Sequence, residues 1–413
     1  MMFRTHYEKI YLILLALVAF TLPLGIIFNN IAIGLLLLFW LFSGSLYSKI
    51  QTLIKNKYFW IFTAVYFIQF LGILYSTDVH DALTKLEKKA GLVIFPLVIL
   101  SMPALRGKQL IYIIISFGIC CFSLFTYAIA KLLLTYGSLT KVPLLTEAMD
   151  ELVHLHHAYS GLYLVFLIVS LLYLLIKYWQ QHNRYARSGL GFIILMLYLF
   201  LIVLGARMAI FISFAVLGLQ MLVFTIQTKS FRILILLAFT IIIGVVGVLS
   251  LPTTRSKLNE ILFYKGVYHP FTPRLIQWQC SIDILDENDS WFYGVGTGDV
   301  KPLLQACYQD KKFWGHLYNY NLHNEYLEEM VRHGLIGLSL LLLAFLYPMV
   351  VAIKQKQYLY IYFILIFMLA CISESFLNRQ KGVIFYAFFN ALIASQFIFT
   401  PNKNHVLSED ASS

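Results

Sequence analysis

GFIILMLYLFLIVLGARMAIFISFAVLGLQMLVFTIQ, residues 191–227, decides the fold. On each side of Gly205–Arg207 it offers an apolar run long enough to cross about 30 Å of hydrocarbon as a helix. A membrane β-strand would alternate and stop after about ten residues, and these runs do neither. Comparable runs recur from end to end. Hydrophobic residues make up 60% of the 413 and charged residues 12%, half the roughly one-quarter usual in globular domains. A soluble enzyme, a nucleic-acid reader, a disordered chain and an outer-membrane barrel are excluded. The expected fold is all-α, a polytopic integral membrane protein.

Apolar runs predict about twelve spans, near 10–28, 30–47, 58–75, 91–105, 109–136, 158–176, 189–205, 207–226, 233–251, 335–352, 358–375 and 383–400. Residues 1–251 then carry nine spans, 252–334 form one large loop with short helices, and 335–413 hold the last three spans and a tail. The fourth span is short and contains Pro96 and Pro103. The first run is of full length and reads as a helix rather than a cleaved signal.

The net charge of +11 sits mostly in brief basic turns: Lys49, Lys55 and Lys57; Arg106 and Lys108; Lys177, Arg184 and Arg187; Lys229 and Arg232; Lys354 and Lys356. Placed in the cytoplasm, these turns put both termini inside and the large loop outside. They face lipid headgroups rather than nucleic acid. The large loop holds ten acids and eight bases with Trp278, Trp291 and Trp314, a composition suited to a folded cap over a site for something polar and bulky, such as sugar. Cys120, Cys121 and Cys371 fall in apolar runs and read as packing residues. Cys280 and Cys307 share the large loop, and they are candidates for a disulfide if it faces an oxidising compartment.

Arg207 stands where two apolar runs meet. A guanidinium there costs several kcal/mol unless it reaches water, a partner or a ligand. Its planar fork suits bidentate phosphate binding at the mouth of the eighth span. Arg274, in FTPRLIQW, falls in the first turn of a helix that Thr272 and Pro273 would open; it opposes the helix dipole unless an anion joins it. His323, in NLHNEYLEEMVRHG with Glu325 beside it, would start a short amphipathic helix that Gly334 ends. An imidazole there is placed to take a hydroxyl proton near neutral pH.

Several weaker signals accompany these. His154, His156 and His157 lack a further ligand at metal spacing, so no metal is expected; with Tyr159 they read as a polar lip ahead of the sixth span. GVGTGD at 294–299 lacks the βαβ unit of a dinucleotide loop and reads as a flexible turn. No nucleotide-binding, nucleophile-elbow or HExxH motif occurs, so neither nucleotide nor cofactor is expected. Residues 77–89 read as an amphipathic interfacial helix. Glu374, with Arg379 and Lys381 in the NRQKG that follows, makes another polar cluster at the same level.

GARMAI, PRLIQW, GVGTGD and HNEYLE…HGLIG, in this order and with the large loop after the ninth span, resemble the O-antigen ligase and O-antigen polymerase family of bacterial envelope enzymes. The resemblance runs from about residue 150 to 385 and includes SESFLNRQKG. It implies a GT-C-like, metal-independent membrane glycosyltransferase of the bacterial inner membrane, with its active site on the periplasmic face. Its donor would be a glycan on undecaprenyl diphosphate and its acceptor, in the ligases, a sugar hydroxyl of lipid A–core. The family's essential arginines would fall on Arg207 and Arg274, and its histidine on His323. Ala206 stands where a serine is commoner before the first arginine. No nucleophilic carboxylate is evident, so direct attack and inversion at the anomeric carbon are expected. An O-antigen polymerase, a protein O-oligosaccharyltransferase and, from another class, a flippase of lipid-linked glycans are the alternatives. The scarcity of charge within spans favours surface chemistry over transport.

Overall fold

The computed structural model describes residues 2–105, 107–229 and 272–398, and those residues form sixteen α-helices and no strand. They are α1 Met2–Thr21, α2 Ile26–Phe42, α3 Leu46–Lys55, α4 Lys57–Ile73, α5 Val79–Lys89, α6 Gly91–Ile99, α7 Gly107–Tyr136, α8 Leu145–Val153, α9 His157–Lys177, α10 Arg184–Leu204, α11 Arg207–Thr228, α12 Thr272–Glu287, α13 Val300–Asp310, α14 Glu325–Lys354, α15 Tyr358–Cys371 and α16 Gln380–Ile398. Six of them (α7, α9, α10, α11, α14 and α16) are long and apolar enough to cross a membrane; α2 and α3, bent by 105°, make a seventh if they are one span. The chain is a polytopic helical membrane protein.

The expected spans differ from the helices in several places. The fourth reduces to α6, nine residues with Pro96 inside, because proline removes a donor and crowds the preceding turn. The second ends at Phe42 and turns sharply into α3, a helix with an exposed polar face. The tenth is the later part of α14, which runs back to Glu325. The expected ninth span, 233–251, lies outside the described residues, as do Arg106, Arg232 and the first part of the large loop.

α9 and α16 are buried along nearly their whole length and form the centre of the bundle. Lipid does not drive apolar side chains together, so close packing must hold such a core. Here aromatic rings supply it: Phe117, Tyr163, Phe166, Phe363, Phe385 and Phe389 interlock at centroid distances of 4.6 to 6.4 Å.

The large loop builds a second, smaller core from Cys280, Ile284, Leu285, Val300, Leu304, Tyr308, Phe313, Leu322 and Val331. A Cys280–Cys307 disulfide joins α12 to α13, with the two Cα atoms 5.9 Å apart.

GVGTGD is not a flexible turn. It is a buried strap laid between α14 and the α4–α5 connection. α14 breaks at His333 and Gly334, where Gly334 has φ 62° and ψ −158°, a combination open essentially to glycine alone. The break frees backbone groups that must find partners. Residues 291–296 supply them: Val295 and Gly296 N–H donate to the Val331 and Arg332 carbonyls at 2.9 and 3.0 Å, and Leu335 N–H donates to the Trp291 carbonyl at 2.8 Å. On its other side the strap grips α4 and α5. Thr297 Oγ1 donates to the Gln69 carbonyl at 2.7 Å, and the Asp299 carboxylate accepts from Thr77 N–H and Asp78 N–H, each at 2.8 Å.

Beneath the strap is a cluster of buried charges. Lys89 pairs with Glu329, neither being more than 1% exposed. Gln69 Nε2 donates to Glu329 Oε1 at 2.8 Å, and His333 Nδ1 lies 2.9 Å from Glu329 Oε2. Arg332 donates to Glu328 at 2.5 Å, to the Thr297 carbonyl at 2.6 Å and to Asn378 at 3.1 Å. The end of α5, expected at an interface, is therefore buried at Lys89. Removing one member of such a pair leaves the other charge dry and unpaired, at a cost of about 3–5 kcal/mol. Lys89→Met should lower the unfolding midpoint in detergent sharply, and Lys89→Met combined with Glu329→Gln should recover much of the loss. Equal midpoints for the wild type and Lys89→Met would show that the pair holds nothing.

Candidate functional site

The connections α1–α2, α10–α11 and α15–α16, the start of α9 and the start of α14 meet at one end of the bundle, and the polar residues predicted from sequence gather there. Asn324 caps α14 by accepting from the Tyr326 and Leu327 N–H groups at 3.0 and 3.1 Å. His323 thus precedes the cap rather than starting the helix, and it is held at φ 46°, an uncommon conformation for a non-glycine residue. Its N–H donates to Asn321 Oδ1 at 3.1 Å, which helps to hold that turn.

The His323 ring leans on Glu374, with Nδ1 2.9 Å from Oε2, and its side chain is 27% exposed. Glu374 lies past the end of α15 and is 8% exposed. Burial opposes its ionisation, but the hydrogen bond and charge of His323 outweigh burial and hold its carboxyl below the usual range. A carboxylate at that distance accepts the Nδ1 proton, so that when the imidazole is neutral its lone pair lies on Nε2. No other described side chain bonds to the ring.

Arg274, in the first turn of α12, closes the other side. It donates to the His323 carbonyl at 3.2 Å and to the Ser373 carbonyl at 2.7 Å. Burial works against its charge, and the Glu374 carboxylate partly restores it. Carbonyl oxygens orient the guanidinium without neutralising it, so its charge remains available to an anion.

Arg207 is exposed at the first turn of α11, after Gly205 closes α10 at φ 66°. No described residue bonds to its side chain. Its neighbour Ala206 packs against Gly161 of α9, where a Cβ would come within 2.9 Å of the Ala206 methyl. The start of α11 is thus packed against the first turns of α9. Arg274 meets the His323 carbonyl, and no described contact joins Arg207 to either residue.

The remaining candidates divide. His157 Nδ1 lies 2.8 Å from Asp150. His156 stacks on His157 with centroids 4.0 Å apart, and desolvation, then His157, lower its pKa against the opposing pull of Asp150 and Glu374. Ligand atoms of Asp150, His156 and His157 all lie within 4.8 Å of one another, so these three residues could hold a cation. Tyr159 is buried against Phe376, and its hydroxyl has no partner among the described residues. Glu325 accepts the Leu377 N–H at 2.7 Å and so braces the turn Phe376–Asn378. Lys381 donates to the Leu22 carbonyl at 2.6 Å and to that of Leu24, satisfying the end of α1 rather than facing a ligand. Arg379 is exposed beside this group and makes no bond to a described residue.

Sequence reading noticed Glu374 but not its pairing with His323. One signal pointed there: Glu374 is the lone acid between Tyr358 and Thr400. The cluster around Lys89 gave no comparable signal, since its charged members come from stretches read as an interfacial helix and a loop.

A carboxyl with a lowered pKa stabilises the fold above its unfolded value and loses that stabilisation as pH falls through its folded value. The midpoint difference between wild type and Glu374→Gln should therefore be largest near neutrality and shrink as pH drops below about 4. A constant difference from pH 7 to pH 3 would show that ionised Glu374 is not what His323 leans on.

Residues 192–342 match a family described as O-antigen ligase. That stretch includes Arg207, Arg274 and His323 and bears out the resemblance carried by the four motifs. No curated protein matches the chain. The match supports an enzyme of the O-antigen ligase and polymerase kind, a membrane glycosyltransferase of bacteria.

Proposed function

We propose that this chain is an O-antigen ligase-type glycosyltransferase. It moves a glycan from undecaprenyl diphosphate to a sugar hydroxyl of lipid A–core at the periplasmic face of the inner membrane. The observation that carries this reading is the His323–Glu374 pair beside Arg274, a general base next to a cation left free for an anion. Twelve spans, a GT-C-like arrangement and cytoplasmic termini belong to the same proposal.

The chemistry follows from the geometry. The acceptor hydroxyl gives its proton to His323 Nε2 as its oxygen attacks the anomeric carbon. Glu374, a positioning residue, keeps the proton on Nδ1 and stabilises the imidazolium that forms. The anomeric carbon–oxygen bond to the diphosphate breaks, and Arg274 with Arg207 stabilises the charge that develops on the leaving group. Holding both substrates at one rim supplies much of the remaining acceleration. Direct displacement inverts the anomeric carbon. A groove between α2, α5, α6 and α16, lined by Ile33, Leu37, Ile94 and Ile384 together with Glu87, Lys88 and Gln380, suits a prenyl chain that reaches the rim beside Arg379.

The test is a lipopolysaccharide gel of a deletion strain complemented with each variant. Arg207→Ala, Arg274→Ala and His323→Ala should each give core without a ladder, with polymer accumulating on the lipid carrier and transfer rates down about 100-fold or more. Core bearing a single repeat would identify a polymerase instead. An unchanged ladder in the deletion strain would send the assignment to protein acceptors or to transport.

A further inference from the structure

Between α13 and the His323 turn the chain lays out a row of aromatic rings. Trp314 and Tyr318 stand 5.7 Å apart at an interplanar angle of 85°, and Tyr320 lies 5.2 Å from Trp314 and 5.9 Å from Tyr318. Tyr320 in turn meets the His323 ring edge-on at 5.5 Å. Trp314 is 47% and Tyr318 66% exposed. The row starts on buried Phe313, which packs on Tyr308 at 5.2 Å, and Gly315 lies tight against the Phe313 ring. Lys312, Asn319 and His323 all hold positive φ in this one segment, so its shape is fixed by packing rather than by backbone preference.

Exposed rings held rigidly cost stability unless something covers them. What covers these must suit a surface that is aromatic on its faces and polar at its edges, where Asn319 and the tyrosine hydroxyls lie. A pyranose ring has that character: one face of C–H bonds for an indole or phenol to stack on, and a rim of hydroxyls. The rings also lead to one place, the imidazole that takes the acceptor's proton.

We infer that Trp314, Tyr318 and Tyr320 form an acceptor subsite, stacking a sugar ring of the acceptor glycan and presenting its hydroxyl to His323. This rests on the proposed transfer reaction and adds which substrate the loop selects. The Arg274 side is left to the diphosphate of the donor.

Two measurements on the purified full-length protein test it. Saturation-transfer NMR with delipidated core oligosaccharide as probe should show contact to the wild type, loss of contact in Trp314→Ala and retention in Trp314→Phe. In the transfer assay, Trp314→Ala should raise KM for lipid A–core about tenfold or more, with kcat and donor KM nearly unchanged. A rise in donor KM alone would assign the rings to the donor glycan and overturn the proposal. Unchanged oligosaccharide contact in Trp314→Ala would also overturn it, and lipid-bromine quenching of tryptophan fluorescence that is stronger in the wild type than in Trp314→Ala would then make the row a membrane anchor. The NMR arm needs no turnover, so a protein that binds core oligosaccharide through Trp314 yet transfers nothing would keep this subsite and sink the transferase reading.

Discussion

The end of the bundle that carries the candidate site depends on one ion pair closed off from water, Lys89 with Glu329. Two charges leave solvent only where their remaining hydrogen-bonding capacity is filled. Gln69 and His333 fill it from α4 and α14. The consequence is positional. α5 is locked to the first turns of α14, and those turns brace both halves of the His323–Glu374 pair. Asn324 sets the turn before the helix, while Glu325 and Arg332 hold the Phe376–Asn378 segment that follows Glu374. One stretch of about two helical turns thus fixes base and positioning carboxylate together.

The break at His333–Gly334 makes this compatible with a membrane. Residues 325–332 carry four charged side chains, and the helix after the break is apolar. A straight helix would hold both to one axis. Breaking it separates them, and the strap at 291–299 satisfies the exposed backbone from the side. Irregular backbone shielded from water persists only where protein satisfies its hydrogen bonds. The GVGTGD motif is therefore a structural part of the site's support, and its glycines allow the close approach: a Cβ on Gly294 would collide with the Arg332 carbonyl, and one on Gly298 with that of Asp78.

Helical class and membrane residence were legible because hydrophobic periodicity and run length report them directly. Arg207 drew notice as a charge where two apolar runs meet, and Arg274 and His323 as polar residues at helix starts; the fold sets the last two side by side. Span boundaries were less so: α6 and α15 are shorter than their apolar runs, and α14 extends through a polar segment that hydropathy assigns to a loop. The role of GVGTGD was misread because tertiary hydrogen bonds, not local propensity, hold it. Long-range pairs such as Lys89–Glu329 and His323–Glu374 join residues that are far apart in sequence, and nothing local marks them as partners. Lys381 shows the converse: in sequence it belongs to a polar cluster offered as part of the site, and in the fold it satisfies the Leu22 and Leu24 carbonyls.

The reading of the site as a base and a cation acting in a single displacement makes one direct demand on the product. Purified protein, given a lipid-diphosphate-linked glycan of known anomeric configuration and lipid A–core, should yield a new glycosidic bond whose one-bond carbon–hydrogen coupling reports the opposite anomer. Retention of configuration would require a covalent glycosyl-enzyme and a nucleophile other than the acceptor hydroxyl. That result would contradict the assignment of His323 as the base of a direct transfer.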